Sequence, residues 1–166
     1  TTAVAEGVDL SVGVIYYYFP SGEDTTEMYA GLAFDLPLSP SVTVYHDIDE
    51  VDGTYVSVGI GHTIENIAEI SPGTPVSMEL GASLGWGSES YNKAYWGAPA
   101  TESALNDLAV SMAFPFEVGD WTVSPSMHYI TLMDDDVRAS DAFRTSSHTA
   151  DSDYFVTGIK IGRAHV

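Results

Sequence analysis

Between Val76 and Gly87 every second residue is apolar. Val76, Met78, Leu80, Ala82, Leu84 and Trp86 share one parity, and Ser77, Glu79, Gly81, Ser83, Gly85 and Gly87 share the other. A period of two is that of a β-strand, whose successive side chains point to opposite faces. As a helix the stretch would put Met78, Gly81 and Ala82 on one side, and no apolar stripe would form. A tilted strand of about ten residues is long enough to cross a bilayer. The pattern recurs along the chain. It predicts an all-β fold: an antiparallel up-and-down transmembrane β-barrel of about eight strands.

The other strands follow from the same alternation. They are predicted at Val8–Phe19, Glu27–Leu36, Val42–Asp49, Thr54–Ile64, Leu105–Phe116, Trp121–Met133 and Asp153–Ile161. Asp52-Gly53 is a hairpin signal, and Pro37-Leu38-Ser39-Pro40 and Glu117-Val118-Gly119-Asp120 read as tight turns. Glu65–Thr74 is predicted as a linker, longer than a periplasmic turn usually is. The two longest connections, Ser88–Ser103 and Asp134–Ser152, fall on one end of the meander and the tight turns at Pro37 and Glu117 on the other. Short turns at one end and long loops at the other are the asymmetry of outer-membrane barrels.

The chain of 166 residues is long enough for one domain, and carries 5 Lys+Arg against 24 Asp+Glu for a formal charge of -19. That balance excludes a nucleic-acid partner, because no basic surface is present to displace counterions from phosphates. There is no cysteine, hence no disulfide and no thiolate metal site. No apolar run is long enough for a transmembrane helix, a test that barrel strands escape because only every second residue need be apolar.

The polar parity is small and acidic, not basic. The first seven predicted strands contain no Lys or Arg, whereas Lys93, Arg138 and Arg144 lie in the long loops. Asp9, Glu27, Asp35, Asp47, Glu79 and Asp107 all take the parity shared with Gly and Ser, and are expected to face a lumen. Aromatics on the apolar parity gather at strand ends. Tyr16, Tyr18 and Trp86 are expected at the outer end, and Phe34, Phe114, Phe116 and Trp121 at the periplasmic end, with aliphatics such as Val12, Leu32, Val58, Leu80 and Val110 between. Two aromatic girdles around an aliphatic band match a lipid-facing surface.

Several segments add a resemblance. Tyr29-Ala30-Gly31-Leu32-Ala33-Phe34-Asp35, Pro40-Ser41-Val42-Thr43-Val44-Tyr45, Gly53-Thr54-Tyr55-Val56 and Asp120-Trp121-Thr122-Val123-Ser124-Pro125-Ser126 resemble parts of uncharacterised bacterial outer-membrane barrels grouped with TorF-type porin-like proteins. The similarity spans most of Val8 to Met133. It implies an outer-membrane location and a pore, and it carries over no functional residue. The ending Ile161-Gly162-Arg163-Ala164-His165-Val166 resembles the in-frame translation of a sequencing adapter. Residues 1–161 are therefore taken as one barrel domain, a fragment of a longer one, and residues 162–166 as a non-native tail.

Candidate chemistry is sparse. Asp134-Asp135-Asp136 and Asp47-Ile48-Asp49-Glu50 with Asp52 invite divalent cations, but lack the glycine and distal glutamate of an EF-hand loop. They read as solvated loops, with cation bridging to anionic headgroups as the functional option. His46 and His62 lie on the apolar parity of neighbouring strands, a pair without a third ligand. His128 is expected inside, bonded to Ser or Tyr. Glu79 and Asp107 sit inward on neighbouring strands, where paired carboxylates could do acid–base work, but no nucleophile or oxyanion hole accompanies them. No catalytic, cofactor or metal residue is assigned. The expected role is porin-like passive diffusion of small cationic or neutral solutes, with outer-membrane lipids as surroundings. The alternative is a soluble lipocalin-like barrel or β-sandwich in which the aliphatic face turns inward around an apolar ligand.

Overall fold

The computed structural model describes residues 1–20, 23–140 and 152–163. They form the strands β1 (Thr2–Ala5), β2 (Val8–Tyr17), β3 (Thr25–Phe34), β4 (Ser41–Asp47), β5 (Thr54–Ser71), β6 (Thr74–Gly87), β7 (Ala104–Ala113), β8 (Phe116–Val118), β9 (Trp121–Leu132) and β10 (Asp153–Arg163). Two short helices, α1 (Glu89–Tyr95) and α2 (Asp135–Arg138), interrupt the two long loops. All strands join one antiparallel sheet in the order β1-β2-β3-β4-β5-β6-β7-β9-β10, and β8 bridges β6 and β9. Each strand pairs with its neighbour in the chain because the connections at one end are too short for any other route. β1 and β10 end the order, and no pairing joins them among the described residues. β10 runs through Gly162 and Arg163, paired with Thr122 and Trp121.

Three departures from the predicted strands have local causes. The linker predicted at Glu65–Thr74 is a hairpin: β5 continues to Ser71, β6 starts at Thr74, and Pro72-Gly73 closes the turn with Gly73 at φ +84°. The register slips between Ile64 and Ala68 and again between Glu69 and Ser71. The first irregularity sets four residues of β5 against two of β6 and the second two against one, so Ile64, Ile67 and Ile70, spaced by three, hide the strand from a test for strict alternation. The predicted strand Leu105–Phe116 breaks at Phe114-Pro115, because proline brings no N–H to the ladder. Phe116–Val118 then swings over to pair with Val76 and Val123, leaving Val76 only 7% exposed. The Val118–Trp121 hairpin turns on Gly119-Asp120, with Gly119 at φ +60° as a type II′ turn requires of its first central residue. The third departure is β1, which pairs with the start of β2 through Thr2↔Leu10 and Ala3↔Asp9.

Along β2–β5, β7 and β9 the polar face of the sheet is the better covered and the apolar face the more exposed, whereas β10 is exposed on both faces. In β3, Thr25, Glu27 and Gly31 are buried while Met28, Ala30 and Leu32 are exposed. The same parity holds elsewhere: Val12 is 65% exposed, Val44 40%, Val58 53% and Val110 46%. Buried hydrophobics among the described residues are Val76, Ala100, Leu132 and Val137. Ala100, Leu132 and Val137 pack with Trp96 under the long loops, away from the strands' aliphatic face. That face has no apolar partner, the reverse of what burial in water would select.

The hairpin gives a local test. An alanine replacing Gly73 meets nothing within 4 Å but must hold a positive φ, which costs an L-residue about 1–2 kcal/mol. Gly73→Ala is expected to speed amide exchange in residues 64–76 about tenfold or more while leaving β2–β4 unchanged.

Candidate functional site

The strand directions bring four loops to one end of the sheet: residues 18–24, 48–53, the α1 connection and the α2 connection. Just inside that end, on the polar face, the register places tyrosines side by side. Tyr29 opposes Tyr45 and Tyr45 opposes Tyr55, with ring centroids 5.8 and 6.3 Å apart. β6 next presents glycines: Tyr55 opposes Gly87, and Gly85 follows on the same face. The vacant space is taken by α1, whose Tyr91 ring lies 5.3 Å from that of Tyr55 and 4.5 Å from that of Tyr95. Tyr91 and Tyr95 meet because residues four apart share a helix face. Five rings thus form a continuous row across β3, β4, β5 and α1.

Small residues clear the way for this row. A Cβ on Gly13 would lie 2.5 Å from the Tyr29 ring. One on Gly85 would land on the Tyr55 hydroxyl and the Asp107 carboxylate, which are hydrogen-bonded to each other at 2.7 Å above the glycine. Tyr55 and Asp107 stand on β5 and β7, so this bond spans β6 from one neighbour to the other. One on Gly87 would meet the amides of Asn92 and Asn106.

Those two amides lock the helix. Asn92 and Asn106 are 0% and 1% exposed and hydrogen-bond to each other at 2.7 Å, while Asn92 Nδ2 donates to the Glu102 carbonyl at 2.7 Å. Ser88 caps α1 by accepting from Tyr91 N, and its Oγ also accepts from Thr54 N at 2.9 Å, tying the helix to the start of β5. Burial, first of all, and then the nearby Tyr95, Asp107 and Glu27 hold the Tyr91 phenol above its ordinary pKa. Tyr95 is raised likewise by burial and then by Asp47 and Glu27.

The six acids expected on the inner parity separate into groups. Glu27 and Asp47 are direct cross-strand partners at the long-loop end, 8% and 2% exposed. Asp47 accepts from Thr25 Oγ1 at 2.6 Å, Asp49 N at 3.0 Å and Val51 N at 3.2 Å, so it holds the 48–53 loop. Asp107 is the partner of Tyr55. Asp9 and Asp35 are exposed beside a groove of about 480 Å³ at the short-turn end. Glu79 is exposed at another groove there, of about 330 Å³, with Glu65 and Glu117.

Glu79 and Asp107 are not a pair: Asp107 opposes Gly85, six residues along β6 from Glu79, or about 20 Å at the rise of a strand. The two histidines of the apolar parity, a pair too small for a metal site, separate in the same way, since His46 opposes Thr54 whereas His62 opposes Leu80. Among the described residues no group of three or more His, Asp or Glu is placed to hold a metal ion. Asp134 caps α2 by accepting from Asp136 N and Val137 N, and Arg138 pairs with Asp135. His128 sits 3.3 Å from Ser126 Oγ.

Of the aromatics expected in girdles, Tyr16, Tyr18 and Trp86 lie towards the long-loop end and Phe34, Phe114, Phe116 and Trp121 towards the short turns. Trp86 is half-buried, while Tyr16 is 63% and Trp121 53% exposed. The tyrosine row is what the sequence reasoning missed. Its signal was tyrosine on the polar parity at Tyr29, Tyr45 and Tyr55 in three successive strands, followed by glycine at the corresponding positions of the fourth.

Two measurements check this geometry. Gly85→Ala must displace the Tyr55–Asp107 bond and is expected to cost about 1–3 kcal/mol in denaturant unfolding. Gly162→Ala, where a Cβ meets nothing within 4 Å, is expected to cost much less. For Tyr91 the fold favours the neutral phenol, so its stabilisation is full below the unfolded pKa of about 10 and is lost as pH rises towards the folded one. Unfolding midpoints are expected to fall above about pH 10, and Tyr91→Phe to flatten that fall.

Comparison with known protein families, curated proteins and solved structures finds no match to this chain.

Proposed function

We propose that this chain is an outer-membrane β-barrel protein of a Gram-negative bacterium, with a porin-like role in passive diffusion of small cationic or neutral solutes. One observation carries the proposal. Along β2–β5, β7 and β9 the aliphatic face is the more exposed, and the glycines, serines and tyrosines of the opposite face, with Glu27, Asp47 and Asp107, are the better covered. In water that arrangement wastes the hydrophobic effect, and in a bilayer it is the arrangement required. The loop asymmetry supports the same reading: α1 and α2 sit in long connections at one end, and the Pro72-Gly73 and Gly119-Asp120 turns lie at the other. A soluble barrel with an apolar pocket would need the opposite orientation of every strand.

In lipid, the free edges of the sheet, β10 on one side and β1 with the remainder of β2 on the other, must find hydrogen-bond partners, because no water is present to satisfy them. The eight long strands, β2–β7, β9 and β10, would make a barrel filled by its own side chains. Conduction therefore calls for further strands. The acids of the polar face, in a chain of formal charge -19, would favour cations over anions.

Val58→Lys tests the orientation. It places a charge on the exposed aliphatic face and is expected to lower the unfolding free energy in lipid by about 2–4 kcal/mol. Ser83→Lys, beside an open groove of about 380 Å³ on the polar face, is expected to cost less than half of that. A heat-modifiable band and a need for detergent should accompany this order. A chain that is monodisperse in plain buffer and indifferent to Val58→Lys would overturn the membrane reading in favour of a soluble sheet.

A further inference from the structure

We propose that the tyrosine row is a binding tract for small organic cations, whose ammonium groups sit over the rings and are balanced by Glu27, Asp47 and Asp107. The site belongs to the polar face of the barrel proposed above and so rests on that reading for its setting, but it requires no open pore.

The rings supply the first part of the argument. From Tyr29 to Tyr95 successive centroids are 4.5–6.3 Å apart, comparable with the reach of about 6 Å over which a ring face attracts a cation. An ammonium seated between two neighbouring rings therefore lies within range of both. Tyr17, at the end of β2, lies beside Glu27 and close to Tyr91 and Tyr95 at the other end of the row. Tyr95, which ends the row, and the neighbouring Tyr17 are 38% and 36% exposed, so the row opens to solvent on the long-loop side.

The carboxylates supply the second part. Glu27 and Asp47 are almost fully buried, yet neither faces a basic side chain. The ion pairs among the described residues join Lys93 to Glu89, Arg138 to Asp135 and His46 to Asp52, and none reaches the row. Asp47 takes its hydrogen bonds from a hydroxyl and backbone amides, and Asp107 takes one from Tyr55. Buried negative charge with only neutral donors around it calls for a counter-charge. A hard metal ion is a poor candidate, since calcium and magnesium need an oxygen cage and no three-ligand group exists among the described residues. A weakly hydrated ammonium on a carbon frame matches both ring faces and diffuse negative charge.

The test is calorimetric titration of the full chain, folded by far-UV circular dichroism, with choline and with its uncharged isostere 3,3-dimethylbutanol. Choline is expected to bind saturably, with the isostere at least tenfold weaker. Glu27→Gln and Tyr45→Leu should each weaken choline binding tenfold or more, while Asp135→Asn, remote on α2, should not. Tyr95→Leu serves in place of Tyr45→Leu if that variant loses strand signal, because Tyr95 stands outside the sheet; Tyr95→Phe, which keeps the ring, should retain binding. Equal affinity for choline and the isostere, no saturation by the folded chain, or binding indifferent to these variants would overturn the proposal. Because binding is read without a bilayer, its failure is separate from a failure of conduction or of membrane insertion.

Discussion

The pleat of the sheet forces every strand to present two different faces, and the rest of the structure depends on which face is covered. Here the covered face is made of glycine, serine, tyrosine and acids. The hydrogen bond from Tyr55 to Asp107, passing over Gly85, shows how it is held. Side chains from next-nearest strands meet because the strand between them contributes no side chain at that point. Polar groups on this face bond to one another, and the aliphatic residues of the other face touch their cross-strand neighbours but carry no second layer among the described residues.

That division explains why the hydrophobic packing lies under the loops. Ala100, Leu132, Val137 and Trp96 cluster where α2 and the α1 connection fold back over the end of the sheet. The same end carries the buried amide pair of Asn92 and Asn106, the Ser88 link to β5 and the Asp47 clamp on the 48–53 loop. One end of the molecule is therefore fastened by specific polar contacts. The other, with its short turns and the long β5–β6 hairpin, is fastened by backbone pairing with exposed side-chain bonds of Ser77 to Glu65 and Ser71 to Thr74. An aromatic row lined by uncompensated carboxylates sits at the fastened end, where a preorganised surface is of most use to a ligand.

Much of the fold was legible because side-chain alternation is a local signal. Val12, Val44, Val58 and Val110 announce their face by parity, and Asp-Gly and Pro-Gly announce turns. Legibility failed wherever the parity changed. The register slips after Ile64 and Glu69 disguised eight residues of strand as part of a linker, and Pro115 split one predicted strand in two. The short helices were missed because their strength lies in the Ser88 and Asp134 caps and in tertiary locks, not in an apolar stripe.

For the site, the sequence could place a residue on a face but not at a height. It put Glu79 and Asp107 on the same side of adjacent strands, and the register separates them; it put tyrosines in three strands, and the register aligns them. Strand type and the sorting of apolar and polar residues onto two faces were determined by the residues alone, since each depends only on near neighbours in the chain. The register, the path of α1 across the glycines of β6 and the convergence of Glu27, Asp47 and Asp107 on one aromatic row were decided by the tertiary structure, because each depends on how far one strand slides along another.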